Sequence, residues 1–309
     1  MDHTTAGNHK KQVYAAKKSW LGISDWIVDK IGVRPATWKP VLKVFKLIVA
    51  GSKYMDTPIF GPIYKRLMMF EPEEQRYSHG TIYNLNVDLS EEGESVVLPV
   101  DLVKDMLSKA SYIASSNACI CRDANHCSQY PKEVCCLFLS KSGRTIVEHQ
   151  VGYEISLEDA LARVDRAAEL GLVGQALWVE VEQFIWGFSN QTMEHFVEMC
   201  FCCPCCCVAF NISRNASRDV KKRFRASGWT AVVDEESCQG CESCIEPCPQ
   251  AAITLNRAGK AAINQEYCVG CGICKTHCEH SAICIRQTQP MLGSVQDYFL
   301  EDGQLALKI

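Results

Sequence analysis

Apolar residues recur at helical spacing near the start of the chain. In SWLGISDWIVDKI, residues 19–31, Trp20, Ile23, Ile27 and Ile31 fall on one face with Trp26 beside them, and Ser19 stands where an N-cap belongs. WKPVLKVFKLIVA, residues 38–50, predicts a second amphipathic segment, with Lys39, Lys43 and Lys46 along it. Gly51, Pro58, Gly61 and Pro62 then break the chain before IYKRLMMF. No stretch reaches the roughly 18 uninterrupted apolar residues of a spanning helix.

Residues 71–95 are polar and turn-rich and read as a boundary. VLPVDLVKDMLSKASYIASS opens a middle region predicted to be mainly helical, with Asp101 as an N-cap. ISLEDALARVDRAAELGLVG is the clearest helix. Ser156 and Asp159 form a variant capping box, Leu161, Val164, Ala168 and Leu172 share a face, and Gly171 and Gly174 mark the end. Residues 211–229 read as a linker or connecting helix. The pattern predicts an α+β chain in four parts: a basic amphipathic helical region 1–94, a helical cysteine-rich domain 95–228, a compact domain 229–288, and an apolar tail 289–309 that docks back.

Composition sharpens this picture at one residue type. The chain has 309 residues, 47% of them apolar, enough for a real core. Its twenty cysteines are absent from residues 1–118 and all fall between Cys119 and Cys284. The opening MDHTTAGNHKKQVYAAKKSW has no apolar leader segment. The expectation is therefore a cytoplasmic, reducing compartment with metal-bound thiolates rather than disulfides. Residues 1–70 carry 12 Lys/Arg against 4 Asp/Glu, a charge of +8, leaving 20 against 32, or −12, on the rest. The acidic body argues against nucleic acid as a partner. The basic, Trp- and Leu-rich arm suits either packing on the protein's own body or peripheral contact with the cytoplasmic membrane face.

CQGCESCIEPCP starts at Cys238 and CVGCGICKTHCE at Cys268. Both have the spacing C-x2-C-x2-C-x3-C, and a shift of 30 residues lays one on the other. Three cysteines two residues apart let a tight loop wrap a cubane, with its backbone N–H groups turned to the sulfides. Here the chain resembles the bacterial ferredoxins with two [4Fe-4S] clusters, over about residues 230–288. The resemblance implies that Cys238, Cys241, Cys244 and Cys278 hold one cluster, and Cys268, Cys271, Cys274 and Cys248 the other. The family's proline after the fourth cysteine is Pro249 in the first repeat but Glu279 in the second. That carboxylate is expected to favour the oxidised form. Cys284 is left over and reads as a buried thiol on a short strand.

Eleven cysteines remain. ACICRDANHC, EVCC and FCCPCCC make Cys119, Cys121, Cys127, Cys136, Cys200, Cys202, Cys203, Cys205 and Cys206 candidate ligands of one or two additional iron–sulfur clusters. A C-x-C pair is expected to serve one centre only in a bent loop. Pro204 interrupts any helix through the run, so its members are expected to face two directions, some joining Cys119, Cys121 and Cys127. Arg122 is a candidate to hydrogen-bond a cluster sulfide or ligand. His126 is expected not to be a ligand. The layout of C-x-C-R, a cysteine pair, a cysteine-packed string and a two-cluster module resembles poorly characterised multi-cluster iron–sulfur proteins of anaerobic bacteria, over residues 95–290. The vicinal cysteines are also similar to those of heterodisulfide reductase-like proteins, although the wider spacing of that motif does not match.

No G-x-G-x-x-G follows a strand and there is no P-loop. Electrons are therefore expected to come from a redox partner protein or a small carrier. The leading expectation is an electron-transfer protein or redox-complex subunit. The alternative is an oxidoreductase whose middle-domain centre reduces a disulfide or other small substrate. A cluster-based sensor is a third reading.

Overall fold

The computed structural model describes residues 24–68, 79–85, 99–178, 181–194 and 196–288, with short paired segments at 300–301 and 304–305. Three helices come first, α1 (Asp25–Ile31), α2 (Trp38–Ser52) and α3 (Phe60–Leu67), followed by β1 (His79–Asn84) and α4 (Pro99–Lys109). Next are β2 (Ile113–Ser116), α5 (Ile120–Ala124), β3 (Leu137–Leu139), α6 (Lys141–Glu148), β4 (Gly152–Glu154), α7 (Leu157–Glu169) and β5 (Val173–Trp178). Then come α8 (Glu182–Trp186), α9 (Asn190–Glu194), β6 (Glu198–Cys202), α10 (Val208–Asn215), α11 (Arg218–Lys221) and β7 (Phe224–Ala226). The last part holds β8 (Trp229–Val233), β9 (Ile253–Leu255), β10 (Ala261–Ile263), α12 (Ile273–Thr276) and β11 (Ile283–Gln287), with β12 (Leu300–Glu301) and β13 (Gln304–Leu305) forming a separate short pair.

The chain is α+β; its middle region has more residues in helices than in strands, but a sheet that the sequence pattern does not predict organises it. It is built on a seven-stranded sheet in the order β4-β2-β3-β6-β5-β1-β7, antiparallel except for the β1–β7 pair. The reason lies in burial. Every residue of β2, β3 and β6 is buried, so these strands are short apolar runs without the alternation that marks a half-exposed strand. β1 lies within the stretch that its polar neighbours make look like a boundary, and the supposed linker supplies α10, α11 and β7. The expected Ser19 cap and nearly all of the apolar tail fall outside the described residues.

Two cores sandwich the sheet. On one face α4 and α7 bring Val103, Leu107, Ala160 and Val164 against Leu137, Leu139, Met199 and Phe201. α7 is capped as its sequence predicts, with the Asp159 N–H donating to Ser156 Oγ at 3.0 Å. On the other face Phe138, Trp186, Phe188, Phe196 and Phe210 pack together with Cys200 and Cys202.

The N-terminal helices dock on this second face. The Val33 N–H donates to the Ile185 carbonyl at 2.8 Å, and Trp38 Nε1 donates to Asp123 Oδ2 at 2.7 Å. Asp29 takes Arg34 Nη2 at 3.0 Å and lies 2.9 Å from His149 Nε2. Phe45 and Met68 enter the core. The outward sides of these helices leave Val44, Leu47, Ile59, Phe60, Ile63 and Leu67 exposed.

Candidate metal centres

The last domain carries its 30-residue repeat into three dimensions. Asp234 N–H donates to the Ala282 carbonyl, as Asn264 N–H does to Ala252, both at 2.8 Å. The Ala231 N–H points at Cys268 Sγ and the Ala261 N–H at Cys238 Sγ, both 3.4 Å away. Ala252 and Ala282 aim theirs at Cys248 and Cys278, each at 3.3 Å. Amide donors directed at sulfur favour the thiolate form that iron binds.

Gly240 and Gly270 occupy matching positions with φ of 66° and 62°. A Cβ on Gly240 would run into the Gly259 carbonyl, and one on Gly270 into that of Trp229, again partners 30 residues apart. The loops therefore need glycine both for the left-handed turn and for the close approach.

The fourth cysteine of each run stands with the first three of the other. The charges that act on Cys244 are those of Cys241, Cys278 and Cys238, and burial raises its thiol first of all. Cys248, Cys268, Cys271 and Cys274 line one small cavity with Val269 and Ile253. In the first group Cys241 is exposed, Cys278 half-buried and Cys238 and Cys244 buried; in the second Cys268 and Cys271 are half-buried and Cys248 and Cys274 buried. The donor sets and the amides aimed at them fit two four-iron clusters. Cys284 is half-buried on β11, opposite Val232.

β6 sorts the cysteine run. Residues two apart in a strand share a face: Cys200 and Cys202 pack into one core and Met199, Phe201 and Cys203 into the other, although Phe201 and Cys203 also reach the cavity that Glu198, Cys200 and Cys202 line. The expectation that a C-x-C pair needs a bent loop therefore fails here: Cys200 and Cys202 line the same cavity in a straight strand. It describes Cys119 and Cys121 better, since Cys119 is the extended N-cap of α5 and the chain bends there.

On the first side lies a cavity of about 100 Å³ lined by Cys119, Cys121, Cys136, Cys200, Cys202 and Cys207, roofed by Phe45, Ile48 and Met68 from the N-terminal helices. Cys136 Sγ is 3.3 Å from Cys200 Sγ, and Cys200 Sγ donates to Glu198 Oε1 at 3.0 Å. Cys202 Sγ donates to Gln175 Oε1 at 3.3 Å, and the first amide of α10, Val208 N–H, points at Cys121 Sγ. The hydrogen bond to Cys121, and then burial, push the Cys119 thiol well up. Hydrogen bonds with Cys136 and Cys202, followed by burial, do the same to Cys200. Hydrogen bonds from Cys200 and Cys207 hold Cys202 down.

Cys207, the last of the six thiols of the run, joins the cavity. Two glutamates there were not expected from sequence. Glu198 is buried and, with Cys136 and Cys200, has ligand atoms all within 4.8 Å of one another. The strand period alone would have put it beside Cys200. Glu182 also lines the cavity, and burial, then the Glu198 carboxyl, push its pKa well up. Glu182 Oε2 and Glu198 Oε2 are both buried with no hydrogen-bond partner among the described residues. Thiols, carboxylates and orphaned oxygens facing one space form a donor set that fits an iron–sulfur centre.

On the other side, Cys127, Cys203, Cys205 and Cys206 bring their sulfurs within 4.8 Å of one another, with Cys127 and Cys205 3.9 Å apart. The structure thus places Cys127 away from Cys119 and Cys121. Cys135 belongs to neither group; its thiol donates to the Ser116 carbonyl at 3.0 Å beside Arg163. His126 is exposed in a left-handed turn with φ of 50°.

Arg122 runs between the two groups, fully buried. Its guanidinium donates to the carbonyls of Pro131 at 2.8 Å and of Val134 and Phe201 at 2.6 Å, while Nε has no partner among the described residues. Burial works against its charge, but Cys119 on one side and Cys203 on the other more than offset this.

Residues 231–254 match the family described as 4Fe-4S binding domain. No curated protein and no solved structure matches the chain. The match indicates at least one [4Fe-4S] cluster, and with the cysteine content it makes this an iron–sulfur protein.

Proposed function

We propose that the chain is an electron-transfer protein with two [4Fe-4S] clusters in its last domain and a further iron–sulfur centre in the Cys119–Cys207 cavity. The observation that carries this reading is the packing of the second ferredoxin-type loop on the core that holds the cavity cysteines. The first site has the one exposed cysteine of the pair of sites, Cys241, and Val269, Cys271 and Ile273 of the second site's loop pack into the same core as Cys200, Cys202 and Cys207. Arg214 fixes the junction, donating to the Cys248 carbonyl at 3.2 Å and the Pro204 carbonyl at 3.5 Å. Bound clusters supply one-electron chemistry, and the chain sets their order, burial and spacing. A redox protein or small carrier meets the site of the exposed Cys241. No dinucleotide fingerprint occurs in the sequence, which favours such a partner over a bound nicotinamide.

Iron and acid-labile sulfide per chain, with EPR of the reduced protein, test this reading. Two cubanes give about eight irons. The proposal expects clearly more, with the surplus in both iron and sulfide lost on Cys136→Ser. About eight irons with an unchanged Cys136→Ser variant would remove the third centre. A second reading, in which the cavity centre is catalytic, is favoured by Glu182 and Glu198, two buried carboxyls able to hold a proton beside the thiols. A change in the surplus signal on adding a small disulfide would support it.

The N-terminal helices give this assembly a place to rest. Leu47, Ile59 and Leu67 are 72%, 78% and 61% exposed, and Lys39, Lys43, Lys46, Lys53 and Arg66 are exposed around them. Cations beside an outward apolar stripe complement an anionic bilayer surface. Among the described residues no helix is long and apolar enough to cross a membrane, so the contact proposed is peripheral.

A further inference from the structure

Two groups of ligand atoms converge within 4.8 Å among the described residues, Cys136 with Glu198 and Cys200, and the four thiols of Cys127, Cys203, Cys205 and Cys206; the second alone offers four ligands. A four-iron cluster presents four separate corners, so its cysteine sulfurs must stand apart around a cage. A single tetrahedral ion with metal–sulfur bonds of about 2.3 Å draws its ligands together, to sulfur–sulfur separations of about 3.8 Å. Cys127 and Cys205 stand at 3.9 Å, and all four sulfurs lie within 4.8 Å of one another. Among the described residues no other set of four ligating side chains is gathered so closely, and the ferredoxin-type cysteines are not.

The backbone around the four sulfurs is pinned from outside. Asn125 Nδ2 donates to the carbonyls of Cys121 and Cys206, both at 3.0 Å. Asn211 Nδ2 donates to Cys207 O at 2.9 Å and Cys205 O at 3.5 Å, and Arg214 reaches Pro204 O. With those carbonyls occupied, the turn holds its thiols inward. Cys205 is exposed and Cys127 half-buried, so an ion can enter from solvent. Cys203 and Arg122 also border the cavity, so the two groups adjoin there, while Cys127, Cys205 and Cys206 lie outside it.

We infer that Cys127, Cys203, Cys205 and Cys206 bind a single thiophilic transition-metal ion, zinc or iron, in a closed four-thiolate site distinct from the iron–sulfur centres. The ion ties the loop after α5 to the turn after β6 and so fixes the direction in which Cys202 and Cys207 face the cavity. The site stands whether or not the cavity holds a cluster.

The test measures zinc, iron and acid-labile sulfide in the full chain purified without oxygen, beside Cys127→Ser and Cys205→Ser. The expected result is one zinc or one iron per chain present in excess of cluster stoichiometry and lost in both variants, with sulfide unchanged. Zinc analysis separates the two metals. Loss of iron together with an equal amount of sulfide would mean a cluster at this site and overturn the inference, as would variants that keep the wild-type metal content. If the variants fail to fold, the wild-type protein still decides. X-ray absorption at the zinc edge, or Mössbauer spectra for iron, must show four sulfurs at about 2.3 Å and no metal neighbour; a metal–metal contact would overturn it.

Discussion

Cys202 and Cys203 are adjacent in the chain and lie on opposite faces of the central sheet, one in the core with Phe138 and Trp186, the other with Met199 and Phe201. Serine at the two positions should therefore have unlike effects. Cys202→Ser should lower iron and sulfide together by disturbing the cavity centre. Cys203→Ser should remove the single ion and leave sulfide in place. Metal and sulfide analysis of both variants checks this, and matching losses would mean that the two faces share one centre.

Gly270→Ala should damage the second cluster of the last domain. The substitution puts a Cβ into the Trp229 carbonyl at a φ of 62°, so the loop bearing Cys268 and Cys271 must move. Strain of this kind costs on the order of 1–3 kcal/mol. EPR of the reduced variant should keep one cluster signal and lose the coupling between two. Gly240→Ala should do the same to the first cluster, because the repeat places its Cβ against Gly259.

Arg214→Ala should loosen the junction between the last domain and the sheet without emptying either. Hydrogen bonds to a charged group contribute about 1.5–3 kcal/mol each, and Arg214 makes two to carbonyls on either side of the seam. Limited proteolysis near residues 216–228 should accelerate while iron content holds. Slower reduction of the cavity centre than of the ferredoxin pair, by stopped flow, would tie the junction to electron passage.

Acid should undock the first helix. His149 is buried, its Nδ1 2.8 Å from Arg34 Nη1 and 2.9 Å from the Trp186 carbonyl, and its Nε2 2.9 Å from Asp29 Oδ1. Burial, and then the Arg34 charge, hold its pKa below the ordinary value despite Asp29. A depressed histidine pKa means that the unfolded chain binds the proton more readily. The contribution of neutral His149 is present in full above about pH 6.5 and is lost as pH falls through its lower native value, at no more than about 1.4 kcal/mol per pH unit. Amide exchange in residues 25–34 should rise over that range, and His149→Gln should flatten the dependence.

Much of the ferredoxin-like domain was legible in the sequence because its information is local. The cysteine spacing sets the loop, and the 30-residue repeat sets the pairing of Ala231 with Cys268 and Ala261 with Cys238. α7 was legible for the same reason, through Ser156 and Asp159. The central sheet was not. β2, β3 and β6 are buried on both faces, and a strand without a solvent side loses the alternation that would reveal it. The two directions of the cysteine run were foreseen from Pro204, but what divides them is the period of β6. Cys136 meets Cys200 only because β3 and β6 pair in one sheet, and Glu182 meets Glu198 because α8 packs over it, and no local pattern records either.

The exposed stripe of α2 and α3 should carry the protein to anionic vesicles. Val44, Leu47, Ile59 and Leu67 pack little on the protein, so Leu47→Glu with Ile59→Glu should change stability by no more than about 0.5 kcal/mol. The same pair should abolish flotation with vesicles containing phosphatidylserine. Reversing Lys43 and Lys46 to Glu should weaken flotation too, since each surface cation contributes about 1 kcal/mol near an anionic bilayer. Salt should act on the lysine part and spare the apolar part, so wild-type binding should fall but persist in salt, while phosphatidylcholine vesicles should retain the protein weakly. Equal flotation of wild type and the Leu47→Glu/Ile59→Glu pair would end the proposal. A dimer in sedimentation that the same pair dissolves would assign the stripe to a second copy of the chain instead.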